Sequence, residues 1–297
     1  MHVPFLGLVA AFSTALFQTA SDIGAKAATR EAEERLILAA QWIAGGALLT
    51  LLCLAANPEL LRSPLSDFLA PGFWPTLFAG GLLNLVAYYF YVRAFRLSDA
   101  SLVAPVILLT PVLLLVTSPL MLGEQVSPLG GVGVLFSVAG AAFLGRREKG
   151  APLATSLGAL ASDPGARSMF VTAALWSVTA NIDKLGVRAS SPLIWIAALS
   201  DFIALCGVGY WLALPRRSFN LRETRWAATS GVANALGNAL QMYALTLLLV
   251  PYVIAIKRLS GLFTVIAGGL ILKEDINGRL LGASIMLLGA MLIAFAG

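Results

Sequence analysis

Lys257 and Arg258 stand side by side inside the run Pro251 to Asp275, PYVIAIKRLSGLFTVIAGGLILKED, which is otherwise apolar enough to cross a bilayer. A cation at the centre of a membrane helix costs about 3 kcal/mol on insertion scales, so two in succession need the bundle or a ligand to offset them. An arginine presents a planar fork to a carboxylate or phosphate and a lysine a point charge, so the pair suits an anionic group. On a continuous helix Lys257 shares a face with Ser260, Gly261, Thr264 and Gly268, at offsets of three, four, seven and eleven, which predicts the wall of a cavity. The other reading has Lys257 reaching back to the nearer interface and Arg258 pairing with a buried carboxylate, for which Asp201 is the leading candidate.

Further polar residues recur at helical spacing. Asn84, Tyr88 and Tyr91 fall at offsets of zero, four and seven, and Asn234, Asn238 and Gln241 repeat those offsets later in the chain. Ser177, Asn181, Lys184 and Arg188 form a third stripe, with Trp176 and Asp183 beside it, and Thr14, Gln18, Ser21 and Asp22 form a fourth, with Lys26 four residues after Asp22. Asp22, Asp183 and Asp201 are candidates for proton coupling or for ion pairing; each has a basic neighbour or a plausible basic partner. Glu124 and Glu274 are expected at helix ends as caps or loop contacts. No HExxH, no Cys/His set and no Gly-rich phosphate loop occur, and His2 is the single histidine, so no metal, cofactor or intramembrane catalysis is expected.

The elements that must carry these stripes are membrane helices. With 59% hydrophobic and 12% charged residues and a mean hydropathy of +0.86, the chain is far from a soluble domain, in which charged residues make up about 25%. Ten spans are predicted, at about 4–26, 35–56, 73–93, 99–121, 126–145, 167–188, 192–213, 226–248, 250–272 and 277–296. Pro105 and Pro111 predict a kink in the fourth, and the small residues of GGVGVLFSVAGAAFL suit the fifth to tight helix packing or to dimerisation. The stretch 146–166 begins basic and turns rich in Gly, Ala, Ser and Pro, which reads as a linker. Cys53 and Cys206 lie within apolar helices as inert packing residues. The net charge of +5 is spread over helix ends rather than gathered in a basic patch with aromatics, so nucleic acid is not an expected partner. The N-terminal run has no Lys or Arg ahead of it and is expected to be retained as a helix rather than cleaved as a signal.

The two halves repeat. A shift of 150 residues lays Gly81 on Gly231, Asn84 on Asn234, Ala94 on Ala244, Leu97 on Leu247 and Glu124 on Glu274, and a shift of 158 lays Ser21 on Thr179 and Lys26 on Lys184. The chain therefore reads as an all-α integral membrane protein of ten transmembrane helices, with one five-helix unit over 1–145, a linker at 146–166 and a second unit over 167–297. Five spans being odd, the second unit enters the membrane from the opposite side, an inverted repeat of the kind that holds a substrate near the midplane. On that expectation the stripes of helices three and eight face each other across the site, joined by helices one, four, six and nine. Lys257 and Arg258 map onto Ile107 and Leu108, so the charge comes from one repeat only, which suits a ligand with one charged end.

Across nearly its whole length the chain resembles the drug/metabolite transporter superfamily, in its ten-helix EamA-type branch. The stretches carrying the likeness are FYVRAFRLSDASLVAPVILLTPVLLLVTSPLMLGEQVSPLGG and the partner ending GGLILKEDINGRLLGAS. The resemblance implies alternating access between two inverted halves without ATP. The pair in AIKRLSG is also similar to the Lys-Arg pair on the ninth helix of triose-phosphate/phosphate translocators, which would carry phosphate binding onto Lys257 and Arg258. The acidic residue that small multidrug carriers of the superfamily place in the middle of helix one has no counterpart here, which lowers the case for cationic drugs.

The function expected from all this is a secondary transporter for a small anionic or zwitterionic metabolite, phosphorylated metabolites included. Lys257 and Arg258 would hold the anion, Lys184 or Lys26 assist, Asn84, Tyr88, Asn234 and Asn238 orient, and Trp176 stack. Alternatives are a flippase for an anionic lipid headgroup and an exporter of amino acids or drugs. The expected partners are a small-molecule substrate and the lipid bilayer, the expected state a monomer, and the expected place a bacterial inner membrane. Orientation is contested: loops after odd-numbered helices hold 15 of the 20 Lys and Arg, which puts both termini outside the cytoplasm, whereas the resemblance implies both inside.

Overall fold

The computed structural model describes residues 4–28, 34–63, 65–98, 104–144, 162–212, 221–263 and 280–296. Among them are ten α-helices and no strand: α1 Phe5–Ala28, α2 Glu34–Ala56, α3 Phe73–Leu97, α4 Leu109–Leu122, α5 Pro128–Leu144, α6 Pro164–Ala189, α7 Pro192–Leu212, α8 Leu221–Leu247, α9 Val250–Lys257 and α10 Leu280–Phe295. In hydrocarbon a backbone group finds no water, so a chain this apolar closes its hydrogen bonds within helices. By length and composition Phe5–Gly24, Ala39–Ala56 and Pro192–Gly209 are long and apolar enough to cross a membrane. Helices α3, α6 and α8 run 25, 26 and 27 residues, long enough as well, and carry the polar stripes that lower their hydropathy.

The helix starts follow from local chemistry. Three begin at a proline preceded by a capping side chain. Ser127 Oγ accepts the Gly130 N–H (3.2 Å), Asp163 Oδ1 the Ala166 N–H (2.7 Å) and Ser191 Oγ the Ile194 N–H (3.3 Å), ahead of Pro128, Pro164 and Pro192. The proline lacks only an N–H that would have been orphaned there. Helix α4 stops at Gly123, whose φ of 68° is the left-handed conformation of a C-terminal cap. Helix α9 starts at Leu249, which offers no side-chain cap; instead the buried Glu124 carboxylate, reaching over from the α4–α5 connection, accepts the Val250 N–H at 2.9 Å. The capping role expected of Glu124 is thus observed, while Glu274 lies outside the described residues.

The chain forms two compact units, one comprising Met1–Leu8, Leu82–Asn181 and Leu247–Gly297 and the other Val9–Gly81 and Ile182–Thr246. In the first, α5 packs on α10 backbone to backbone. A Cβ on Gly140 would lie 2.5 Å from the Met286 nitrogen and 2.6 Å from the Gly282 carbonyl oxygen, and one on Gly133 2.8 Å from the Gly289 oxygen. As α5 advances from 133 to 140 its contacts on α10 retreat from 289 to 282, so these two fifth helices run antiparallel. Gly133 and Gly140, a helical heptad apart, are the small residues of α5 that allow this contact. Helices α4 and α9 pack together in the same unit, and α2 and α7 in the other, so second, fourth and fifth helices each meet their own counterparts.

First and third helices pair crosswise, and a single hydrogen bond marks both pairings. In the second unit Thr14 Oγ1 donates to its own-helix Ala10 carbonyl (3.0 Å) and, across to α8, to the Gly237 carbonyl (3.2 Å). In the first unit Thr172 Oγ1 donates to the Ser168 carbonyl (3.1 Å) and, across to α3, to the Ala87 carbonyl (3.3 Å). Thr14 and Ala10 map onto Thr172 and Ser168 by the shift of 158, and Ala87 onto Gly237 by the shift of 150, the two shifts read from the sequence. Around Thr14 the α1–α8 seam is closed by Ser230, whose hydroxyl donates to the Ser21 carbonyl at 2.7 Å and accepts from Gln41 Nε2 at 2.8 Å. Around Thr172 the α3–α6 seam buries Ala94, Ala166 and Met169 with Val106, and ends where Ser98 donates to the Asp163 carboxylate at 2.7 Å.

Two outcomes follow from this packing. Gly140→Ala should destabilise the protein by more than about 2 kcal/mol, since its methyl meets backbone, whereas Gly131→Ala, which has nothing within 4 Å, should be stabilising by up to about 1 kcal/mol; thermal unfolding of the purified variants checks the opposite signs. Asp163, ahead of the α6 span, has its carboxyl held below the ordinary range first by the Ser98 hydroxyl and then by the Ala166 N–H. With the folded value depressed, its stabilisation is complete above the ordinary aspartate range and lost as pH falls through the depressed value. Wild type and Asp163→Asn should therefore differ in unfolding temperature near neutrality and converge in acid.

Candidate functional site

The ninth span is not one continuous helix. Helix α9 ends at Lys257, and Arg258, at φ −66° and ψ −11°, shares its N–H between the Ile254 and Ala255 carbonyls, both at 3.2 Å. Leu259 N–H then bonds the Ile256 carbonyl at 2.9 Å, a tighter three-residue turn, before helix resumes at Ser260. The turn shifts the phase of the stripe expected from Lys257 through Ser260 and Gly261, and Thr264 and Gly268 lie outside the described residues. The eight-residue α9 is buried from Val250 to Ile256, whereas Lys257 and Arg258 at its C-terminus are half-buried. Helix C-termini carry a partial negative charge, so this end favours cations that the middle of an apolar helix would not. The counterpart in the first repeat changes geometry at the matching place: a 3₁₀ turn over Ala104–Leu108 gives way to α4 at Leu109, and Leu108 is the equivalent of Arg258.

The same unit holds the aromatic residues. The Trp176 ring on α6 lies against two rings of α3, 5.7 Å from Tyr88 and 5.4 Å from Tyr91 between centroids, and all three are half-buried. Asn84, half-buried, sits one turn before Tyr88. Asn181 on the same helix is taken up in packing. Asn181 is fully buried; its amide donates to Thr117 Oγ1 (3.0 Å) and the Ser177 carbonyl (2.8 Å), and its carbonyl accepts from Ser118 Oγ at 2.6 Å. The sequence analysis does not single out Thr117 and Ser118, whose signal is two adjacent hydroxyls ahead of Pro119 in a largely apolar helix.

In the other unit Asp183 and Lys184 are both buried, and Asp183 Oδ1 accepts the indole N–H of the fully buried Trp195 at 3.0 Å. Gly186 leaves room for that indole, against which Phe73 packs edge-on. Asp22, exposed on α1, accepts from Gln18 Nε2 at 2.8 Å, and the side chain of Lys26 lies outside the described residues. Asn234 and Asn238 are half-buried one turn apart on α8. Asp201, midway along α7, accepts from Thr50 Oγ1 of α2 at 2.7 Å. Arg188 is exposed in the last turn of α6. Among the described residues no cluster of three or more His, Cys, Asp or Glu could hold a metal ion.

Comparison with known proteins bears on the whole assembly. No curated protein matches the chain. A solved structure titled only "Crystal structure of protein" is similar with a TM-score of 0.75 at 18% identity, over 96% of this chain and 95% of that one, a likeness of fold. The model of the EamA-like transporter family matches residues 5–146 and again 164–295, one copy on each half of the chain. Two matched repeats of five helices, with fifth helices packed antiparallel and the Thr14 and Thr172 hydrogen bonds repeated, make this an all-α integral membrane protein of ten transmembrane helices in two inverted repeats. The chain belongs to the EamA-like transporter family.

Proposed function

We propose that the protein is a secondary carrier, moving a small anionic or zwitterionic metabolite by alternating access of its inverted repeats, with phosphorylated metabolites among the candidates. The observation that carries this reading is the placement of Lys257 and Arg258 at the C-terminal break of a buried half-helix. Transporters of inverted-repeat design use such broken helices to face substrates near the midplane. Arg258 supplies a bidentate fork and Lys257 a point charge for the anion. Trp176, framed by Tyr88 and Tyr91, offers an apolar face for the rest of the ligand, and Asn84 an amide for its orientation. In the second unit Asn234 and Asn238 repeat the amide stripe, and Lys184 and Lys26 are the equivalent cations of the two repeats. The carrier works as a monomer in a bacterial inner membrane, with the bilayer and its substrate as partners and no nucleic acid.

The test is thermal stability of the purified protein against phosphorylated metabolites, carboxylates, amino acids, cationic drugs and anionic lipid headgroups. A ligand at a hundred times its Kd stabilises by about 2.7 kcal/mol, or about 4 °C for a chain of this size. Stabilisation by soluble anions that disappears in the Lys257→Ala, Arg258→Ala double variant is the expected result. Stabilisation only by neutral or cationic compounds, unchanged in that variant, contradicts the reading, and a response confined to lipid headgroups replaces it with lipid translocation.

A further inference from the structure

Three aspartates lie within the membrane helices of the second unit, and their partners differ in kind. Asp22 is exposed and held by the amide of Gln18. Asp183 accepts from the Trp195 indole, a group that can only donate, so that oxygen is held as an acceptor. Asp201 accepts from a hydroxyl, Thr50 Oγ1, at 2.7 Å. A hydroxyl both donates and accepts, so Thr50 can remain bonded to Asp201 whether the carboxyl is ionised or protonated. A helical threonine that gives up such a partner commonly turns its hydrogen to a carbonyl three or four residues back on its own helix.

The carboxyl is also seated. Asp201 Oδ1 lies 2.8 Å from where a Gly46 Cβ would stand, so it fills the notch that glycine leaves on α2. It sits near the middle of the 21-residue α7, at the depth where an uncompensated carboxylate is most costly and a proton most readily removes that cost. The charged and titratable groups around it are few. On α2 the Cys53 thiol stands three residues beyond Thr50, and on α7 itself Cys206 follows five residues after Asp201. The part of α3 in this unit that meets α7, Phe73 to Gly81, contains none. On α6 Asp183 and its neighbour Lys184 stand at Trp195, nearly two turns before Asp201 along α7. On α8, which packs on α2, Arg225 is exposed over the Trp226 ring and Tyr243 is exposed.

We propose that Asp201 is a proton-binding site: its carboxylate takes up one proton from water to become the neutral acid and returns it, while Thr50 switches from donor to acceptor. In a carrier this gives the α2–α7 contact two charge states, the requirement for coupling transport to a proton gradient. That use rests on the carrier reading; the proton site itself does not, and it can be tested without knowing the substrate.

The experiment is pH-difference infrared spectroscopy of the full chain in lipid vesicles, from mildly alkaline to mildly acidic buffer, with the proton as the only ligand. The wild type should show a protonated-carboxyl C=O band that is lost in Asp201→Asn, kept in Asp22→Asn and Asp183→Asn, and shifted to higher frequency in Thr50→Val. Asp201→Glu guards against a misfolded Asn variant, and should restore a titrating band. A wild-type spectrum without such a band, a band that survives Asp201→Asn, or a band indifferent to Thr50→Val overturns the proposal. Loss of anion stabilisation in the thermal panel would leave all of these results in place.

Discussion

Hydrocarbon offers no hydrogen-bond partner, and most of what distinguishes this chain from a stack of apolar helices is how it meets that constraint. Thr14 and Thr172 each satisfy their hydroxyls twice, on their own helix and on the helix alongside. Such bonds are worth only about 0.6 kcal/mol each in a membrane, so they do not hold the helices together alone; they fix register on seams that small residues have already brought close. Gly237 admits the Thr14 turn of α1, and Gly140 and Gly289 bring α5 and α10 to backbone contact. Because the bonded positions are related by the duplication, one packing solution serves both repeats.

The charges at the end of α9 answer the same constraint differently. At the break the last-turn carbonyls stay bonded, those of Ile254 and Ala255 sharing the Arg258 N–H and that of Ile256 taking the Leu259 N–H, and the partial negative charge of the helix end favours the two cations placed there. Glu124 compensates at the other end by capping Val250 from outside the helix. A buried half-helix with an acidic cap at its start and a cationic pair at its finish is thus consistent in its electrostatics from end to end. The polar groups of α6 divide along similar lines. Asn181 has its amide engaged by Thr117, Ser118 and the Ser177 carbonyl, whereas Trp176, a turn and a half earlier, keeps a half-buried face between two tyrosines.

The number and order of helices were legible because apolar length and proline-marked starts are local properties: Ser127-Pro128, Asp163-Pro164 and Ser191-Pro192 announce their helices in the sequence itself. The duplication was legible too, and the shifts of 150 and 158 land on the paired Thr14 and Thr172 bonds. The break in α9 was not, since neither Arg258 nor Leu259 is a proline or glycine, and the Ser260-Gly261 pair that follows reads equally well as the small-residue face of an unbroken helix. Nor could spacing along α6 separate Asn181 from residues free for a ligand, because what engages Asn181 comes from α4. Asp183 was read beside its sequence neighbour Lys184, but its indole donor lies across the α6–α7 turn at Trp195.

If Lys257 binds the anion, the α9 break opens it to water, whereas Asn181 is closed packing. Accessibility of single cysteines tests it most directly, with Lys257→Cys and Asn181→Cys placed in a chain whose Cys53 and Cys206 are replaced by alanine. A membrane-impermeant thiol reagent should label Lys257→Cys many times faster than Asn181→Cys. If both are equally inert to it, and Lys257→Cys reacts only with a lipid-soluble reagent, the break faces the bilayer and the anion site is not there.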